Sequence, residues 1–200
     1  MLATILLLGL VLVAAVTDLL RRKVYNWTTY GGIVAAFGIS AAGSLWLRIA
    51  RGDAAGLRGW LEHWLGWHPL RDAAAGVILC GGVMLVCFVL FRVGGGDVKL
   101  IAMLGAFLGV ERGVTAMLLT FVLGGCLGLC TLVWRIGGLR LIVRTVRQGL
   151  GLLGFGSGSA WTEEELAILR SPLHLAPGAL AAVVLVLLRP WPSWFWQNCF

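Results

Sequence analysis

Long apolar runs alternate with short polar clusters along this 200-residue chain. Residues 2–18, 26–47, 73–91 and 113–134 approach or reach the ~20 apolar residues with which a helix crosses a bilayer core. Two further runs, 98–112 and 173–188, are shorter. The pattern predicts an all-α polytopic membrane protein of about six transmembrane helices, built as a single transmembrane domain over residues 1–200. The fourth span is the odd one. Its apolar part covers residues 98–110, and as straight helix that is only roughly 20 Å long.

The polar clusters orient these spans. Arg21, Arg22 and Lys23 follow the first run and mark the cytoplasmic side by the positive-inside rule, which leaves both termini outside. Residues 48–71 then form an external loop. Trp60 and Trp64, spaced i and i+4, together with Trp67, suit an interfacial helix with its indoles at headgroup level. The segment 135–170 is cytoplasmic. Arg140, Arg144 and Arg147 share one helical face there, opposite Leu139, Ile142, Val143 and Val146, as in a basic amphipathic helix on a membrane surface. A Gly/Ser-rich mobile stretch follows, and then Thr162 and Glu165 at capping-box spacing. Trp191, Trp194 and Trp196 anchor the tail at the outer interface.

Composition agrees with this reading. With 60% hydrophobic and 12% charged residues and a mean hydropathy of +0.93, the chain is far from a soluble domain. A net charge of +7 invites a nucleic-acid partner, but the basic residues sit at the ends of apolar runs, ten of the 16 on the side assigned to the cytoplasm. Charge placed in that way orients a membrane protein, so the bilayer and not nucleic acid is the expected partner. The five cysteines form no Cys-x-x-Cys pair, and His63, His68 and His174 have no metal-ligand company. No metal or cofactor is expected.

The candidate chemistry lies where the fourth span begins, at Gly94-Gly95-Gly96-Asp97-Val98-Lys99-Leu100. Three glycines make a poor helix interior, so one span ends and another starts there. Asp18 closes the first span. Two further spans carry the chain out and back, so Asp97 emerges on the same side as Asp18 and at a similar depth. Two carboxylates at one level are suited to acid–base hydrolysis, because close carboxylates share a proton and divide the roles of acid and base. Plainer roles exist for each residue. Asp18 can pair with Arg21 or Arg22, Asp97 can cap a helix, and Lys99 can snorkel. As a pair, the aspartates also suit a proton relay or small transporter, although no internal repeat of the transporter kind is present. A non-enzymatic assembly factor, docking through the basic amphipathic helix, is a third reading. Asp53, Glu62, Asp72 and Glu111 are expected to be external and solvated, and Glu163, Glu164 and Glu165 to serve a helix N-terminus.

The glycine-rich stretch resembles the Gly-x-Gly-Asp-x-Lys-Leu signature of the type IV prepilin peptidases. Asp18 to Asn26 is similar to that family's first motif, with Val24-Tyr25 where the family has an Ile-Pro-like pair. Pro172 to Ala182 resembles its last helix start. The resemblance implies a GxGD-type intramembrane aspartyl protease of the bacterial inner membrane, active at the cytoplasmic face. Asp18 and Asp97 are its catalytic pair, and Gly94, Gly96, Lys99 and Asn26 lie in its motifs. Its substrate partner is a prepilin or pseudopilin helix whose basic leader it cleaves, in type IV pilus assembly or protein secretion. Larger relatives carry a cytoplasmic insertion with two Cys-x-x-Cys pairs and also N-methylate the product. This chain lacks the insertion, so it is similar to the minimal Tad/Flp-type peptidases, and methyltransferase activity does not carry over. Glu163, Glu164 and Glu165 are candidates for attracting the leader.

Overall fold

The computed structural model describes residues 2–21, 25–49, 54–91, 94–136 and 175–188. Six helices follow in order: α1 (Leu2–Arg21), α2 (Asn26–Ile49), α3 (Ala54–Trp60, continued by a π-helical turn Leu61–Leu65), α4 (Leu70–Phe91), α5 (Gly95–Ile136) and α6 (Leu175–Leu188). The described residues contain no strand. Four of the helices are long and apolar enough to cross a membrane. Glu163, Glu164, Glu165 and the amphipathic segment beyond Ile136 lie outside the described residues, as does the tryptophan-rich tail.

Helix α5 is two helices joined at one residue. Gly109 has φ 72° and ψ −169°, a backbone region that is essentially glycine's alone. The chain turns sharply back there. A β-carbon at Gly113 would stand 3.1 Å from the Gly105 Cα, whereas eight residues of straight helix separate two Cα atoms by ~12 Å. Asp72, at the start of α4, holds the corner. Its Oδ1 accepts a hydrogen bond from the Val110 N–H at 3.3 Å, the first amide past the break, and so caps the second half of α5. Asp72 is therefore half-buried and bonded, not the solvated external acid expected from sequence.

The shortest predicted span turns out to be the centre of the first compact unit, which comprises residues 1–124 and 174–200. Every residue from Leu100 to Gly109 is buried. A helix that is apolar all round belongs inside other helices, so it need not match the bilayer thickness itself. Glycines bring its neighbours close. Gly76 of α4 and Gly105 of α5 meet so tightly that a β-carbon on either would fall on the other's carbonyl, while Gly32 of α2 leaves room for the Met103 side chain. Close backbone approach through small residues is how helices gain contact in lipid, where tails compete with any apolar side chain. Near the end of this unit, Gly124 of α5 meets Gly178 of α6.

The outward faces are apolar as well, with Ile78 74% and Val89 71% exposed. That surface belongs in hydrocarbon. Hydroxyls within the spans are satisfied by carbonyls one turn back, Thr29 by Asn26, Ser44 by Ser40 and Thr120 by Ala116. The second unit covers residues 125–173, and its described part is the end of α5 to Ile136.

The Trp-rich loop departs from expectation at one residue. Trp60 and Trp64 are exposed, as interfacial anchors should be, but Trp67 is buried. Gly66 adopts the left-handed region at φ 69° and closes the π turn, which swings the next residue inward. The Trp67 indole then lies in a notch left by Gly43, and its Nε1 donates to the Ser40 carbonyl at 3.1 Å. An indole that can pay for burial with one hydrogen bond is a core residue, so Trp67 bolts the loop to α2.

Candidate active site

The buried positions of α1 are Ala3, Leu7, Val11, Ala14, Ala15 and Asp18, one stripe at three- and four-residue spacing. Asp18 thus continues the face on which α1 packs inward, and it is 9% exposed. Asp97 is the third residue of α5, and it too is 9% exposed. Among the described residues, these two are the only buried carboxylates. In its first-turn position Asp97 also meets the positive end of a helix dipole.

Three contacts bring the two helix ends together. The Arg21 guanidinium donates to the Tyr25 hydroxyl at 2.7 Å, closing the short connection from α1 to α2. Lys99 Nζ donates to Asn26 Oδ1 at 2.8 Å, tying the start of α5 to the start of α2. The same ammonium stands 4.8 Å from the centroid of the Tyr30 ring, one helical turn past Asn26. The end of α1, the start of α2 and the start of α5 therefore occupy one end of the bundle.

The glycines have distinct places. A β-carbon at Gly94 would stand 3.0 Å from Asp97 Oδ2, tighter than nine in ten such contacts, so any side chain there would push the carboxylate by a few tenths of an ångström. The Gly94 carbonyl also accepts from the Asp97 N–H at 3.0 Å. Gly96 lies in the first turn of α5 and is half-buried. Arg21, one candidate counter-ion for Asp18, is bonded to Tyr25. Lys99 does not snorkel freely but is held by Asn26 and Tyr30. Tyr25 and Tyr30 went unremarked as site residues in the sequence. The signal for Tyr30 was its i+4 spacing from Asn26, which places both on one face.

The other described acids stay apart from this end. Glu62 pairs with Arg58 at 3.2 Å on the π-helical turn, and Glu111 is exposed beside the α5 corner. Among the described residues no group of three or more His, Cys, Asp or Glu side chains has the arrangement of a metal site.

Residues 5–129, more than half of the chain, match the type IV leader peptidase family. The chain belongs to that family. The matched stretch of this leader peptidase runs from α1 into the second half of α5, so it contains Asp18, Asp97 and the contacts that join their helices. Family membership makes the chain a multi-pass membrane peptidase. Neither a curated protein nor a solved structure matches it.

Proposed function

We propose that this leader peptidase is an aspartic endopeptidase that removes the basic leader of prepilins or pseudopilins at the cytoplasmic face of the inner membrane, with Asp18 and Asp97 as its catalytic pair. The observation that carries this reading is the burial of two carboxylates, alone among the described acids, at one end of the bundle. Carboxylates confined together share a proton. The ionised one takes a proton from water as the water oxygen bonds to the scissile carbonyl carbon. The protonated one donates to the carbonyl oxygen. The carbon–nitrogen bond then breaks, and the leaving amine departs with a proton.

The substrate meets this site at a membrane boundary. A helical carbonyl is already hydrogen-bonded, so the segment to be cut must be extended first. Gly94 to Gly96 offer an approach with few side chains. Glu163, Glu164 and Glu165 attract the positive leader, and reversing their charge should weaken cleavage in a salt-dependent way. The reading is tested by incubating the purified protein with a prepilin and determining the new N-terminus by mass spectrometry. A cut just before the pilin's apolar helix is expected. An intact substrate under conditions where the protein stays folded contradicts the reading.

A further inference from the structure

A cavity of about 270 Å³ lies at the opposite end of the bundle from the aspartates. Its floor is Ala3 and Leu7 of α1 with Phe107 and Leu108 of α5, and its polar wall holds Glu62, His68 and Arg112. Ala3 and Asp18 are fifteen residues apart on one helix, or ~22 Å. This is therefore a different place from the candidate active site, and the proposed peptidase chemistry uses none of it.

The charged groups around the cavity differ in whether they are already engaged. Glu62 is bonded to Arg58. Asp72, just behind, accepts from Val110 N–H and stands 3.8 Å from His68 Nδ1. Burial lowers the pKa of His68 from its ordinary value, Asp72 and Glu62 oppose that shift, and Arg112 adds to it, so the imidazole is neutral at neutral pH. Arg112 makes no hydrogen bond or ion pair with any other described residue. A guanidinium with no such partner among the described residues, lining a cavity with an apolar floor, is suited to a bidentate oxyanion. The cavity also adjoins the turn that carries the exposed Trp60 and Trp64, at the level where lipid headgroups lie.

We propose that this cavity binds the phosphodiester headgroup of a phospholipid. Arg112 holds the phosphate, His68 offers a ring nitrogen to a headgroup hydroxyl, and the apolar floor takes the glycerol end, while the acyl chains remain in the bilayer. The site belongs to the leaflet opposite the aspartates. It ties the external loop, α1 and the α5 corner to the membrane.

The test uses native mass spectrometry of the full chain in detergent, titrated in separate arms with phosphatidylglycerol and with glycerol 3-phosphate. The lipid should bind wild type and the Arg48→Gln variant alike, since Arg48 is exposed and does not line the cavity. Arg112→Gln should bind it about tenfold more weakly, and Arg112→Lys should recover part of the loss. Arg112 is itself exposed, so these variants should keep the wild-type melting temperature without lipid, which separates lost binding from lost fold. Equal weakening by Arg48→Gln and Arg112→Gln would overturn the site in favour of general surface charge. Glycerol 3-phosphate binding as tightly as the lipid would overturn the lipid assignment and identify a soluble phosphate as the ligand.

Discussion

Lys99 Nζ lies 2.8 Å from Asn26 Oδ1, so the residue two positions past Asp97 is bonded to the first residue of α2. Residues i and i+2 point to different sides of a helix, so this ammonium is directed away from the Asp97 carboxyl. Its role is positional: it fixes the start of α5 against the turn that follows Asp18. Lys99→Met should lower kcat for leader cleavage roughly 10–100-fold with little change in KM, the effect of a displaced catalytic group. Lys99→Arg should retain part of the activity. Tyr30→Phe keeps the ring beneath the ammonium and should be near neutral, whereas Tyr30→Leu should cost about 0.5–1 kcal/mol. Steady-state kinetics on the four variants decide the matter, and a Lys99→Met enzyme with normal kcat would remove the positional role.

Gly94 should behave unlike the lipid-facing glycines. A methyl group there meets Asp97 Oδ2, whereas at Gly31 or Gly38 it meets nothing within 4 Å. Gly94→Ala should therefore depress cleavage at least tenfold while Gly38→Ala leaves it intact, since each tenfold reflects only ~1.4 kcal/mol at the transition state. Melting temperatures for both should stay close to wild type. If Gly94→Ala cleaves normally, the carboxylate has room that this geometry denies it.

The α5 corner makes a prediction about folding instead of chemistry. Gly109→Ala forces a side chain into a backbone region that costs about 1–3 kcal/mol and also drives it into the Asp72 carboxylate. Asp72→Ala removes the cap on Val110 and should cost about 0.5–2 kcal/mol. Both should lower the melting temperature in detergent, Gly109→Ala by more. A Gly109→Ala protein as stable as wild type would mean that the two halves of α5 join differently.

His68 confers a pH dependence on stability. Its pKa in the folded protein lies below the ordinary 6.5, because burial disfavours the imidazolium. The unfolded chain then takes up the proton more readily. Stability is fully present above the unfolded value and is lost as pH falls through 6.5 toward the lower folded value. His68→Gln should flatten that part of the profile. Thermal melts between about pH 5 and 8 read this directly, and an unchanged slope in the variant would assign it to other groups.

Much of this was legible in the sequence, for identifiable reasons. Counting spans put Asp18 and Asp97 at one end, since each crossing reverses the chain, and the contacts of Lys99 and Arg21 join those ends. Gly94-Gly95-Gly96 marked a break because three glycines disfavour helix. What stayed hidden was which helix is central. In a soluble protein the all-apolar stretch Leu100–Gly109 would stand out against amphipathic neighbours, but in lipid every helix is apolar on its outer face too. Trp67 was misplaced for a related reason. Its spacing matches an interfacial belt, and the notch that receives it is made by Gly43, which is 24 residues away in sequence. Asp72 was read as solvated because its partner, the Val110 amide, exists only once α5 bends.

The central claim is that Asp18 and Asp97 together perform hydrolysis, and the most direct measurement is leader cleavage by the two single variants. Asp18→Asn and Asp97→Asn keep nearly the same shape and remove one ionisable group each. Each purified variant, shown to melt like wild type, is incubated with prepilin and the product N-terminus is read by mass spectrometry. No cleaved product from either variant is the predicted result. Normal cleavage by either one contradicts a shared two-carboxylate mechanism.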